Sequence, residues 1–111
     1  MADQYRAVVM ERDLHRCQWC GIVLSRGEWN SCHHRKLRSQ GGPDTPENRV
    51  MLCGSGTTGC HFRAHVKERP KAVVLGYIVP RGDDPAKVRM WSEPLGLWVH
   101  LRADGGWELA A

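Results

Sequence analysis

The sequence predicts an α+β fold: a short N-terminal helix, a central strand–strand–helix unit stapled by cysteines, and a β-rich C-terminal extension. Three observations lead there. Apolar Tyr5, Val8, Val9 and Leu14 recur at roughly helical spacing over Gln4–Leu14. Four cysteines fall into two local pairs, Cys17-x2-Cys20 and Cys53-x6-Cys60. Beyond Pro70 the chain turns to short, β-prone apolar segments broken by turns rich in Gly, Asp and Pro.

Each element has a local reason. Asp3 is placed to cap a helix over Gln4–Leu14. In HRCQWCGIVL, two cysteines separated by two residues make a tight knuckle, and Gly21 lets the chain turn out of it. Glu28–His34 reads as a strand, and Ser39–Asp44 as a loop, since Gly and Pro adjoin there. Asn48–Leu52 holds a short apolar run of extended type, and Gly54–Gly59 is a second tight loop. Cys60–Arg69 reads as a helix stopped by Pro70. In the extension, AVVLGYIVP, VRMW and LWVHLR are strand candidates, and LWVHLRADGGWEL is a terminal hairpin. Trp91, Trp98 and Trp107 are expected to fill its core rather than to stack on bases. The resulting division is residues 1–70, holding the cysteine and histidine clusters, and 71–111, an extension packed on or beside them.

With 111 residues the chain is most simply one folding unit with a modest core, for which a metal or disulfide staple is expected. A net charge of +4 and a pI of about 9.0 suit an anionic partner. No apolar run approaches the roughly 18 residues of a membrane span. The first residues, MADQYRAVVMERD, contain acidic side chains and no apolar signal core, so a soluble cytoplasmic protein is expected. In a reducing compartment paired cysteines are ligands before they are disulfides. Zinc prefers four thiolates in a tetrahedron, and two short-range pairs supply them with little loop entropy lost. Cys17, Cys20, Cys53 and Cys60 are therefore read as a structural zinc knot. The alternative, four unconnected buried thiols, leaves the pairing unaccounted for. Cys32, the fifth, reads as a small strand residue.

The stretch Ser31–His65 holds four of the six histidines. CxxC is followed by His33-His34, by Gly41-Gly42, by Asn48, by Cys53 and by Cys60-His61. This order resembles the HNH endonucleases over roughly Cys17–Lys67, about half the chain. The resemblance implies the ββα-metal, or His-Me, finger fold with a zinc knot. It also implies hydrolysis of DNA phosphodiesters with one divalent ion, leaving 5′-phosphate and 3′-hydroxyl ends. Small stand-alone proteins of this type resemble those carried by phages, some of which act with the packaging terminase. The implied partners are double-stranded DNA and a terminase, in the host cytoplasm.

Carried onto this chain, the pattern makes His34 the general base, since neutral imidazole can take a proton from water near pH 7. His33 is a ligand of the catalytic ion (Mg²⁺, Mn²⁺ or Ni²⁺). It faces the other side of an ideal strand, so a local bend is expected to bring both rings to one site. His61 and His65, four apart, share a helix face and can chelate that ion. Asn48 bridges backbone across the Gly-Gly loop and holds His34. Arg35, Lys36 and Arg38 are placed to pair phosphate, with Arg12 and Arg16 as further candidates, against the plainer reading of a solvated basic face. His15 and His100 are taken as structural. A reading from another class, a non-catalytic zinc-knot nucleic-acid-binding module, fits the charge and the cysteines equally; it has no need of His33, His34, Asn48 and His61.

Overall fold

The computed structural model describes residues 3–24 and 30–110. Helix α1 (Arg6–Arg12) is followed by strands β1 (Asn30–His34) and β2 (Arg49–Cys53), which pair antiparallel. Helix α2 (Gly59–Phe62) runs into a π-helical segment (Arg63–Lys67), and α3 (Arg69–Leu75) comes next. Strands β3 (Met90–Ser92), β4 (Leu97–Leu101) and β5 (Trp107–Leu109) form a second antiparallel sheet in that order. The class is α+β, as expected, and the β1–β2–α2 succession is the central unit.

One apolar cluster spans both halves of the chain. It joins Val9 of α1, Val50, Met51 and Leu52 of β2, and Ala64 of the π segment to Ala72, Tyr77, Met90, Val99 and Leu101. Tyr77 lies wholly inside, its hydroxyl donating toward the carbonyls of Gln18 and Trp91, and its ring packs on Trp19 at 5.1 Å between centroids. The extension thus covers the hairpin rather than standing apart, and α3 crosses the expected boundary at residue 70.

Several expectations are corrected. The first helix is shorter than Gln4–Leu14: Asp3 accepts from the Tyr5 N–H ahead of it, and Leu14 and His15 take left-handed φ of 62° and 55° beyond its end. Leu14 is exposed, so its apparent helical spacing reports no buried face. The turn has a purpose in the fold, since it lays Gln18 along β2, where the Gln18 N–H meets the Met51 carbonyl at 3.0 Å and Asp13 Oδ2 accepts from the Met51 N–H at 2.8 Å. The first two residues of the expected strand, Glu28 and Trp29, lie outside the described residues. Asn48 sits in a 3₁₀ turn (Pro46–Asn48) ahead of β2 rather than within it.

Pro70 stops nothing. It stands in the first turn of α3, where its missing N–H costs no hydrogen bond, and Gly76 at φ 85° ends that helix. The first half of AVVLGYIVP is therefore helical. The tail tryptophans are not core: Trp107 is 37% exposed, and Trp91 and Trp98 are half-buried in an edge-on pair, with Arg89 stacked 4.0 Å over Trp98. Trp91 and Trp98 pair across β3 and β4 and, by strand alternation, take the face opposite Met90, Val99 and Leu101, which fill the core side. No helix among the described residues is long and apolar enough to cross a membrane.

Candidate metal centres and cleft

Two clusters of ligand-type side chains form against the β1–β2 hairpin, adjoining in sequence at Cys60-His61. The first joins Cys17 and Cys20 from the knuckle to Cys53, the last residue of β2, and Cys60 in the first turn of α2. Their sulfurs lie within 4.8 Å of one another, with Cys20 and Cys53 at 3.8 Å. The loop between Cys53 and Cys60 closes because Gly54, at φ 89°, leaves no Cβ to collide with the Thr58 carbonyl. The donor set is chemically suited to a cation. A hydrogen bond from Cys60 draws the Cys17 thiol down to about 5, while Cys60 is pushed up by Cys17 and by burial, and burial pushes Cys20 up to about 11. Four such sulfurs ionise together only around a positive charge. Cys32 lies on the hairpin away from this group, and burial pushes its thiol up.

The second cluster is His33, His61 and His65, whose ligand atoms also lie within 4.8 Å of one another. The three rings pack edge to face, 4.7–5.2 Å between centroids. The hydrogen bonds around them decide which nitrogens are free. His33 Nε2 lies 2.7 Å from the Tyr77 carbonyl, a pure acceptor, so that nitrogen carries the proton and Nδ1 the lone pair. Nδ1 is buried and has no hydrogen-bond partner. The Ser31 hydroxyl donates to the Gly54 carbonyl at 2.9 Å, so its oxygen accepts from His61 Nδ1 at 3.0 Å and leaves the lone pair on His61 Nε2. His61 Nε2 faces His65 Nε2 at 3.1 Å. Burial holds all three imidazoles below their ordinary range, with neighbouring histidines adding to the effect at His33 and His61 and Arg69 at His65. Three neutral imidazoles converging within reach of one ion, with an orphaned buried nitrogen on His33, fit a bound cation.

The π segment carries part of this geometry. The Glu68 N–H reaches the Arg63 carbonyl, five residues back, so the turn that holds His65 is wider than an α-turn. The expected bend in β1 is absent, because the ladder stays regular through His33 opposite Val50 and His34 opposite Arg49. Both rings nevertheless line one cleft of about 350 Å³, together with Ser31, Arg38, His61 and His65. Four consecutive residues of β1, Ser31 to His34, line this cleft, so side chains of both facings reach it.

His34 is held by Asp44, with Nε2 and Oδ1 2.7 Å apart. Asn48 is fully buried and does the bridging expected of it: Oδ1 accepts from the Lys36 N–H at 2.7 Å, and Nδ2 donates to the carbonyls of Lys36 and Pro43 at 2.9 and 2.8 Å. That staple closes the loop between the strands. Gly42 permits it, since a Cβ there would fall on the Lys36 carbonyl.

The basic residues divide sharply. Arg38 is 74% exposed at the mouth of the cleft, and Lys36 is partly exposed, its ammonium near the Asp83 carbonyl. Arg35 is corrected: it is fully buried, and its guanidinium donates to the carbonyls of Gly76, Glu47, Pro85 and Val88 at 2.7–3.0 Å. It has no face left for phosphate and instead ties the hairpin to the extension. Arg12 is corrected likewise, being buried against Asp13 and the carbonyls of Pro46 and Arg49. Arg16 is exposed and donates to the Gly21 carbonyl. His15 and His100 join neither cluster.

Sequence reasoning overlooked Asp44 and Ser31. Asp44 closes the GGPD loop and reads locally as a turn residue; only its distance from His34 reveals it. Ser31, two residues before His33, shares its side of β1, a signal that strand alternation does contain.

A family model described as HNH endonuclease matches residues 17–67. No curated protein and no solved structure matches the chain.

Proposed function

We propose that this protein, whose residues 17–67 match the HNH endonuclease family model, is a metal-dependent DNA endonuclease, with zinc in the four-cysteine knot and Mg²⁺, Mn²⁺ or Ni²⁺ at the histidines. The observation that supports it most is the meeting of three neutral imidazoles and a fourth, separately held histidine on one cleft. A binding module needs the knot and the positive charge and has no use for that arrangement.

In this reading His33 through Nδ1, and His61 and His65 through Nε2, hold the divalent ion. The chemistry it would supply is Lewis-acid stabilisation of the negative charge that grows as a phosphodiester breaks. His34 takes the proton from the attacking water. Asn48 keeps the loop beneath it closed. Arg38 at the cleft and Lys36 outside it meet backbone phosphates, so recognition follows backbone and groove shape more than base sequence. The products carry 5′-phosphate and 3′-hydroxyl ends. A phage packaging terminase is the partner this class of small protein implies, and the exposed Leu97, Trp107 and Leu109 of the second sheet are the surface available to it.

Supercoiled plasmid with Mg²⁺, Mn²⁺ or Ni²⁺ is the test. The protein is expected to give nicked and then linear DNA, and excess chelator to stop it. His34→Ala should lower the rate by about 10²–10⁴ with metal content, fold and DNA affinity kept. Binding without cleavage by the parent under every ion, including after addition of a terminase subunit, refutes the enzyme and leaves the binding module.

A further inference from the structure

We propose that Asp44 is a positioning residue for His34: its carboxylate fixes the imidazole with the proton on Nε2 and leaves Nδ1 as the nitrogen that takes the proton from water. The proposal rests on the nuclease reading above. A carboxylate at 2.7 Å accepts only, so the nitrogen facing it is a protonated one, and in the neutral ring the other nitrogen then carries the lone pair. The Asp44 carboxyl is held below the usual carboxylate range chiefly by that same hydrogen bond.

Asp44 is itself held from the backbone on both sides. Asn48 Nδ2 donates to the Pro43 carbonyl at 2.8 Å and Arg49 Nη1 to the Asp44 carbonyl at 3.1 Å. Arg49 is almost fully buried and anchored on the Cys32 carbonyl and on Asp3. Asn48 and Arg49 thus act on His34 through the placement of Asp44, not by touching it. Asp44 lines a second cleft of about 390 Å³, with His34, Arg38 and Arg49, where an unpaired carboxylate would repel a phosphate; His34 and Arg38, the latter 3.7 Å away, offset it.

The experiment compares the parent with Asp44→Ala and Asp44→Asn, all metal-loaded. Histidine-selective ¹⁵N NMR reads the His34 Nε2–H, assigned by its loss in His34→Ala, and steady-state plasmid cleavage reads kcat and KM. Asp44→Ala should lose the Nε2–H resonance to exchange and lower kcat by roughly tenfold or more, with KM and metal stoichiometry unchanged. Asp44→Asn, which keeps an acceptor oxygen in place, should retain the resonance and recover most of kcat. A parent-like kcat in Asp44→Ala, an effect confined to KM, or no recovery in Asp44→Asn overturns the proposal. A parent that never cuts overturns the nuclease reading and the catalytic part of this one with it. The resonance then still separates the two: its loss in Asp44→Ala means the pairing is real and the chemistry wrongly assigned, and its persistence means the pairing is wrong as well.

Discussion

Replacing Arg35 with methionine removes the guanidinium and keeps most of the side-chain length. The arginine is fully buried and donates to four carbonyls, those of Gly76, Glu47, Pro85 and Val88. Burial and the nearby Arg12 charge draw its pKa down to about 9, which still leaves it cationic at neutral pH. Hydrogen bonds from a charged donor contribute about 1.5–3 kcal/mol each. Simple addition over four overstates the loss, because water and small shifts recover part of it, so about 4 kcal/mol or more is expected. That is a large share of the roughly 5–15 kcal/mol that holds a domain together, and at about 4–8 °C per kcal/mol the midpoint should fall by about 20 °C. Thermal unfolding by circular dichroism, with both metals saturating, measures it. Arg38→Ala, at an exposed side chain, is the control: it should leave the midpoint in place and weaken DNA binding. An Arg35→Met protein that melts within about 2 °C of the parent but binds DNA poorly would refute the buried role and return Arg35 to the phosphates.

Cys53→Ser should lose one equivalent of zinc by elemental analysis and melt far lower, since metal affinity at such a site is folding free energy; Cys32→Ser should do neither. Ser31→Ala removes the acceptor that keeps His61 in its Nδ1–H form, and calorimetric titration of the zinc-loaded protein with Ni²⁺ should show about 10–100-fold weaker binding at the histidines. Asn48→Asp keeps the acceptor for the Lys36 N–H but sets a carboxylate oxygen against the carbonyls of Lys36 and Pro43. It should destabilise the chain by roughly 1–3 kcal/mol in denaturant melts and lower cleavage more than stability alone explains. His34→Ala, by contrast, should cut cleavage by about 10²–10⁴ without moving the melting midpoint.

What the sequence determined by itself was the gathering of side chains that depends on residue type and short spacing. The cysteine pairs, the His-His step, the Asn at its distance and the His-x-x-x-His each need only a knuckle, a strand or one helical turn to be useful, and those local geometries follow from local sequence. The class of fold followed for the same reason, as did the terminal hairpin around its Gly-Gly turn. Helix α3 was missed: Pro70 at its start reads equally as the stop of the preceding helix, and the apolar run up to Gly76 satisfies strand and helix alike. The tertiary structure decided which cations face solvent. Arg35, Lys36 and Arg38 are neighbours in sequence, yet one is sealed under carbonyls from residues 47, 76, 85 and 88 and another stands 74% exposed. It likewise decided the partners of the histidines: Tyr77 behind His33, Ser31 behind His61 and Asp44 behind His34. A hydrogen bond is settled by ångströms and direction, and sequence separation bears on neither until the chain has closed its loops.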